Sequence, residues 1–171
     1  FISSLARYRA SKSRYYWALV LEKGDEERTR LLREAILGFS PYTMAYQGPD
    51  LLSYCRLGRA LCYRELGNYA KAMEELEEVS KGQVPPAILM QVRTERIGIH
   101  LHSQRYREAM EEASQLLTEL EKEGTQASLA DRIRFMKLEA LFPLFAPEGS
   151  VNRPQLSITP KVEESPSTEL E

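Results

Sequence analysis

Residues 57–80 read LGRALCYRELGNYAKAMEELEEVS, and apolar residues recur at helical spacing on both sides of a single turn signal. That signal is Leu66-Gly67-Asn68, in which glycine and asparagine favour a break between two helices. The stretch therefore predicts two antiparallel helices joined by a sharp turn. Each helix carries an apolar face that the pair cannot bury by itself.

The second half of this stretch recurs further along the chain. RYREAMEEASQLL, which begins at Arg105, repeats NYAKAMEELEEV, which begins at Asn68. The residues in equivalent places are Tyr106 and Tyr69, Ala109 and Ala72, and Met110 and Met73. A recurring helix pair predicts a stack in which neighbouring pairs bury each other's apolar faces.

The composition of the whole chain is that of one ordinary globular domain. Of its 171 residues, 43% are hydrophobic and 28% are charged, which is enough for a substantial core. The formal net charge of -2 argues against a global attraction to nucleic acid or to an anionic membrane. No apolar run reaches the roughly 18 residues of a membrane-spanning helix. Because the chain starts at Phe1, we expect a processed product or a part of a longer protein.

Helix signals and breakers divide the chain into a domain and a tail. We expect helix pairs at 8–41, 50–84 and 87–123, a single helix at 126–142, and a loop at 40–50 with two prolines and a glycine. The single helix is expected to cap the stack, because the last open face of stacked repeats needs a lid. Residues 1–146 then form the domain. The Pro-, Ser- and Glu-rich residues 147–171 form a flexible tail.

The central pair resembles a tetratricopeptide repeat. The matching residues are Ala60, Tyr63, Leu66, Gly67, Asn68, Tyr69, Ala72, Leu76 and Pro85. The sequence departs from the family at Arg56, where the family usually has Trp, and at Arg59, where it has Leu. The resemblance implies an all-α fold, a right-handed superhelix of antiparallel helix pairs. It also implies a concave groove lined by the first helix of each pair.

The groove residues implied by the resemblance form the expected partner-binding site. They are Arg14, Tyr54, Leu57, Leu61, Arg64, Gln91, Thr94 and Leu101, with Ser11, Ala18 and Gly98 on the same face. Tyr54 and the three leucines are apolar, and Arg14 and Arg64 frame them. We therefore expect a protein or peptide partner that is apolar with some acidic character.

The sequence offers no catalytic or metal-binding constellation. His100 and His102 are the only histidines, and two residues apart on a helix they point to different sides. His100 is expected to be a packed residue. The glutamate runs are interpreted as solvated outer faces, and no phosphate-binding glycine loop or nucleophile motif is present. We therefore expect a protein that is not an enzyme, with no cofactor, no metal and no small-molecule substrate.

The two cysteines are interpreted as small buried apolar residues. Cys55 and Cys62 lie seven residues apart on one predicted helix, about 10.5 Å along its axis, so they cannot pair with each other. This suits a reducing compartment such as the cytoplasm or an organelle interior, without excluding the periplasm.

The expected function is that of a non-catalytic adaptor or scaffold that binds a peptide or a partner helix in the groove. One alternative is a self-associating structural segment of a larger assembly, with a homo-oligomer formed through the tail. The other alternative is RNA binding through the basic, aromatic N-terminal helix. Its candidate residues are Arg7, Arg9, Lys12, Arg14, Tyr8, Tyr15 and Trp17.

Overall fold

The computed structural model describes residues 4–44, 49–82, 84–123 and 127–145. In these ranges the chain forms seven α-helices and no strand, which confirms the predicted all-α class. The helices are α1 Ser4–Val20, α2 Glu26–Met44, α3 Pro49–Glu65, α4 Tyr69–Ser80, α5 Pro86–His102, α6 Tyr106–Glu123 and α7 Ala127–Phe145. The predicted tail, 147–171, lies outside the described residues.

Two helices are longer than predicted. α2 continues to Met44, through the first part of the expected 40–50 loop, and the Ser40 hydroxyl donates to the Ile36 carbonyl at 2.8 Å. α7 continues through Pro143 to Phe145, although proline removes a backbone donor. The prolines at 41 and 143 were interpreted as helix stops, and in both places the helix continues past them.

The three turns within the helix pairs share one backbone feature. Each contains a residue in the left-handed region, Gly24 at φ 98°, Gly67 at φ 74° and Gln104 at φ 60°. At the central turn the Asn68 N–H donates to the Tyr63 carbonyl at 2.9 Å, and the Asn68 side chain accepts from the first turn of α4. The predicted sharp turn is therefore present, and asparagine caps the second helix.

The second and third pairs bury equivalent residues. Ala72, Leu76 and Val79 of α4 are buried, and so are Ala109, Ala113 and Leu116 of α6, at the same spacing. Tyr69 and Tyr106 are both half-buried at the start of their helices. The repeat read from the sequence thus corresponds to a structural repeat.

The core consists of three clusters, each built by three successive helices. The first cluster joins α1, α2 and α3, the second joins α3, α4 and α5, and the third joins α5, α6 and α7. Each helix contacts its neighbours in sequence, and the odd-numbered helices also contact one another, α1 with α3, α3 with α5 and α5 with α7. The odd-numbered helices therefore form one row and the even-numbered helices a second row.

Candidate functional site

The centre of the predicted groove lies on α3. Tyr54 is exposed and Leu61 is half-buried, and because they are seven residues apart they share one side of the helix. The Tyr54 ring lies against the Tyr8 ring of α1, with centroids 6.2 Å apart. On α5, Gln91 is exposed, whereas Leu101 is half-buried against the third cluster.

Two predicted groove residues belong to the interior instead. Leu57 is 4% exposed within the second cluster, between α3, α4 and α5. Thr94 is 3% exposed, and its hydroxyl donates to the Met90 carbonyl at 2.9 Å. Leu57 packs against the neighbouring helices and is not available to a partner, and Thr94 contributes only to the lining of a small cavity between α5 and α7.

The face that α1 turns to solvent differs from the face predicted from the sequence. Ser11 and Ala18, expected on the groove face, are buried, while Trp17 is 65% and Val20 80% exposed. Arg14 pairs with Glu34 of α2, with Nε and Oε2 3.3 Å apart, and therefore lies on the α2 side of α1. The α1 residue that reaches α3 is Tyr8, which the sequence register did not place there.

Arg64 is held in a buried line of alternating charges. Its guanidinium pairs with Glu65 of the same helix, Nη2 to Oε1 at 2.7 Å, and with Glu95 of α5. Burial by itself lowers the pKa of Arg64, but Glu95 and Glu65 raise it above its usual value. Two carboxylates already neutralise this cation, so it is not a free anchor for an acidic ligand.

The line of charges continues to the first helix pair through Arg28. Its Nη2 lies 2.5 Å from Glu65 Oε2, and its Nη1 donates to the carbonyls of Ala18 at 3.1 Å and Leu21 at 2.9 Å. Arg28 thereby binds carbonyls left free at the end of α1. We call Arg28, Glu65, Arg64 and Glu95 the charge line, and it joins α1, α2, α3 and α5.

The sequence analysis did not identify Arg28 as a candidate residue. In the structure Arg28 is the buried residue of the first turn of α2, corresponding to Ala72 of α4. Leu32, Ala35 and Phe39 are all buried and define the inward face of α2. An alignment of the helix pairs on these three residues places Arg28 where α4 has alanine, and it then predicts a buried arginine.

A small cavity lies between α5 and α7 on the side of the odd-numbered helices. Its volume is about 240 Å³, and it is lined by Ala87, Met90, Gln91, Thr94, Glu95, Leu129 and Arg132. This is below the volume of usual small-molecule pockets, about 300 Å³ and above. The cavity is suited to one large side chain of a bound peptide.

A larger open cleft lies beside α2, on the other side of the molecule. Its volume is about 750 Å³, and α2, the α1–α2 turn and the end of α3 line it. Apolar residues such as Leu32 and Ile36 form part of it, and Lys23 and Arg33 lie at exposed positions. No contact joins α2 with α4 in the described residues, and this gap was not predicted from the sequence.

The basic N-terminal helix is open to solvent over much of its surface. Arg7, Arg9 and Lys12 are exposed, and Tyr16 is 54% exposed, whereas Tyr15 is buried. Lys12 Nζ lies 6.0 Å from the Tyr8 ring centre and 5.8 Å from the Tyr16 ring centre. RNA binding by this helix stays a prediction.

Of the histidine and cysteine side chains, those of His100, Cys55 and Cys62 are buried. His100 is 6% exposed, as predicted, and burial, together with Arg105 and Arg96, lowers its pKa. His102 is exposed on another side of α5. Burial raises the pKa of Cys55 and that of Cys62 to about 12, so both thiols stay protonated at neutral pH.

Within the described ranges, no group of three or more His, Cys, Asp or Glu side chains is arranged to hold a metal ion. None of the helices described is both long and apolar enough to cross a membrane.

Comparisons of the chain with protein-family models, with curated proteins and with solved structures find no match. The function is therefore argued from the surfaces of the molecule itself.

Proposed function

We propose that the chain is a non-catalytic adaptor that holds a peptide or a helix of another protein on the face of its odd-numbered helices. The observation that carries this proposal is the exposed Tyr54 on the same side of α3 as the half-buried Leu61, in the same row of helices as the side-chain-sized cavity between α5 and α7. An exposed aromatic residue and a small pocket of mixed polar and apolar lining on one face are typical of peptide-binding surfaces.

The contacts between helices support a concave shape for this face. The odd-numbered helices contact one another, whereas no contact joins α2 with α4 or α4 with α6 in the described ranges. When the helices of one row contact one another and those of the other row do not, the stack curves, and its concave face is on the side of the contacting row. This supports a shallow groove and a superhelical arrangement, as the resemblance to tetratricopeptide repeats implies.

We still expect a partner with apolar and acidic side chains. The cations that would bind its acidic side chains, however, differ from those predicted. Arg14 and Arg64 are paired with glutamates. Lys12 beside Tyr8, and Arg132 at the α5–α7 cavity, are exposed and basic. A peptide with apolar side chains between acidic residues would match this face, with Lys12 towards one end and Arg132 towards the other.

A random peptide library displayed on phage and selected on the immobilised chain tests the proposal. Enriched peptides are synthesised with a fluorescent label, and their affinity is measured by anisotropy. We expect Tyr54→Asp to weaken binding by at least about tenfold, because it places a charge at the centre of the face. Circular dichroism establishes that the variant is folded.

Leu37→Asp is the matched control, because Leu37 is 70% exposed on α2 and lines the larger cleft. It is expected to leave the affinity unchanged. If Leu37→Asp abolishes binding while Tyr54→Asp does not, the partner occupies the cleft and the proposed face is wrong. A selection that enriches no binding peptide contradicts the proposed function itself.

A further inference from the structure

The helix α7 presents an apolar stripe that no other helix in the described part of the chain covers. Phe135 is 37% exposed, Leu138 and Phe142 are each 63% exposed, and Phe145 is 80% exposed. The opposite side of α7 carries Ala130, Ile133, Met136 and Ala140 and is buried against α5 and α6. A helix that caps a stack requires a polar outer face, whereas the outer face of α7 contains this apolar stripe between Phe135 and Phe145.

The stripe has the spacing of a helix–helix seam. Its members follow one another at intervals of three, four and three residues, which keeps them on one side of the helix, as in a coiled coil. The charged residues Arg134 and Glu139 fall to either side of the stripe on an ideal helix. The stripe is thus a continuous apolar strip about 15 Å long.

The spacing of the stripe, three, four and three residues, is the same in both directions. A two-fold axis at the level of residue 140 places Phe135 of one copy level with Phe145 of another, and Leu138 level with Phe142. An interface between identical copies must be self-complementary in this way. We propose that α7 packs antiparallel against α7 of a second copy and forms a two-fold symmetric dimer.

The size of the stripe sets the strength of the expected dimer. With about 200 Å² for a fully exposed large side chain, the stripe offers roughly 450 Å² per copy. This is as large as the largest apolar patch of a typical monomer, yet about half of the roughly 800 Å² per partner in stable complexes. The dimer is therefore expected to be weak and concentration-dependent.

A second copy fits the stripe better than the other apolar end of the stack does. That end is the outer side of α1, with Tyr16, Trp17 and Val20, and a head-to-tail contact between α1 and α7 would extend into a filament. α1 has a net charge of +4 from Arg7, Arg9, Lys12 and Arg14, with no carboxylate, whereas α7 has a net charge of +1, from three cations and the carboxylates Asp131 and Glu139. Repulsion is therefore stronger between α1 and α7 than between two copies of α7. Like charges disfavour that contact.

Sedimentation velocity of the full chain between about 5 and 500 µM tests the dimer. The mass is expected to rise from the 19.6 kDa of one chain towards that of two chains. Leu138→Glu with Phe142→Glu is expected to keep the chain monomeric, and both side chains are exposed enough for the fold to tolerate the change. Val20→Glu, at the other end of the stack, is the control and is expected to dimerise normally.

The outcomes separate the alternatives. A wild-type chain that stays monomeric throughout overturns the proposal, as does a double variant that still dimerises. Loss of association in Val20→Glu, or species larger than a dimer, indicates head-to-tail stacking and also overturns it.

Cysteine crosslinking tests the antiparallel register. A Leu138→Cys variant mixed with a Phe142→Cys variant is expected to form a disulfide-linked heterodimer faster than either variant alone forms a homodimer. The native Cys55 and Cys62 are fully buried and do not compete. Faster crosslinking in either variant alone contradicts the antiparallel arrangement.

Discussion

The charge line is the residue-scale feature that connects the helix pairs. Side-chain exposure is only 8% for Arg28 and 14% for Glu65 in their pair, so both groups have lost most of their water. Burial of such ions is costly, and the geometry must compensate through paired charges and hydrogen bonds. Each charge in the line has an opposite neighbour, and Arg28 also binds two carbonyls at the end of α1.

Removal of one carboxylate from this line should strongly destabilise the chain. Glu65→Gln leaves Arg28 and Arg64 without their shared anion, and we expect the free energy of unfolding to fall by about 3 kcal/mol. Urea unfolding at neutral pH measures this change. Glu34→Gln is the control, because Glu34 pairs with Arg14 and Arg30 at exposed positions, and it should cost less than about 1 kcal/mol. Equal losses in the two variants would contradict a structural role for the charge line.

Individual residues also show why some of the predicted groove residues are not on the surface. Leu57 was expected beside Leu61 in the groove, but their side chains pack into different clusters, one against α4 and α5 and the other against α1 and α2. Periodicity places both residues on the apolar side of α3. Only the positions of the neighbouring helices decide which part of that side is covered.

At the scale of helices, a glycine sets how closely α2 and α3 approach. A Cβ at Gly58 would lie 2.6 Å from the Phe39 ring, which is fully enclosed in the first cluster. At Gly98, in contrast, the nearest atom is Met136 Cε at 3.6 Å, an ordinary contact. These two helical glycines therefore have different roles, although both were read from the sequence only as small residues.

Alanine substitution at the two glycines separates these roles. Gly58→Ala should lower the free energy of unfolding by about 2 kcal/mol, because the clash with Phe39 outweighs the gain in helix propensity. Gly98→Ala should raise it by up to about 1 kcal/mol, because only the propensity term acts. Chemical unfolding of both variants measures the difference. Stabilisation by Gly58→Ala would show that α2 and α3 are not closely packed at this point.

At the scale of the whole molecule, the helices differ in how many neighbours protect them. α3 contacts α1, α2, α4 and α5, and α5 contacts α3, α4, α6 and α7, whereas α1 and α7 each contact only two other helices. The shared helices α3 and α5 contribute to two core clusters each, so local opening there disrupts more of the core.

Hydrogen exchange should follow this order. We expect the slowest amide exchange in α3 and α5 and faster exchange in α1 and α7, measured by mass spectrometry at a chain concentration of about 5 µM, where the dimer dissociates. At about 500 µM, exchange in α7 should slow while exchange in α1 stays the same. Uniform exchange along the chain would indicate a single cooperative unit in place of a graded stack.

The sequence by itself determined the helices, the repeated pair and the burial of Cys55, Cys62 and His100. These properties follow from local patterns, because helical periodicity, turn residues and the recurrence of Tyr69 at Tyr106 are all visible along the chain. The tertiary structure alone decided which apolar and charged side chains remain accessible. Leu57 and Thr94 are buried while Trp17 and Phe142 are exposed, because exposure depends on where the next helix packs, and that position is not encoded in the periodicity of any single helix.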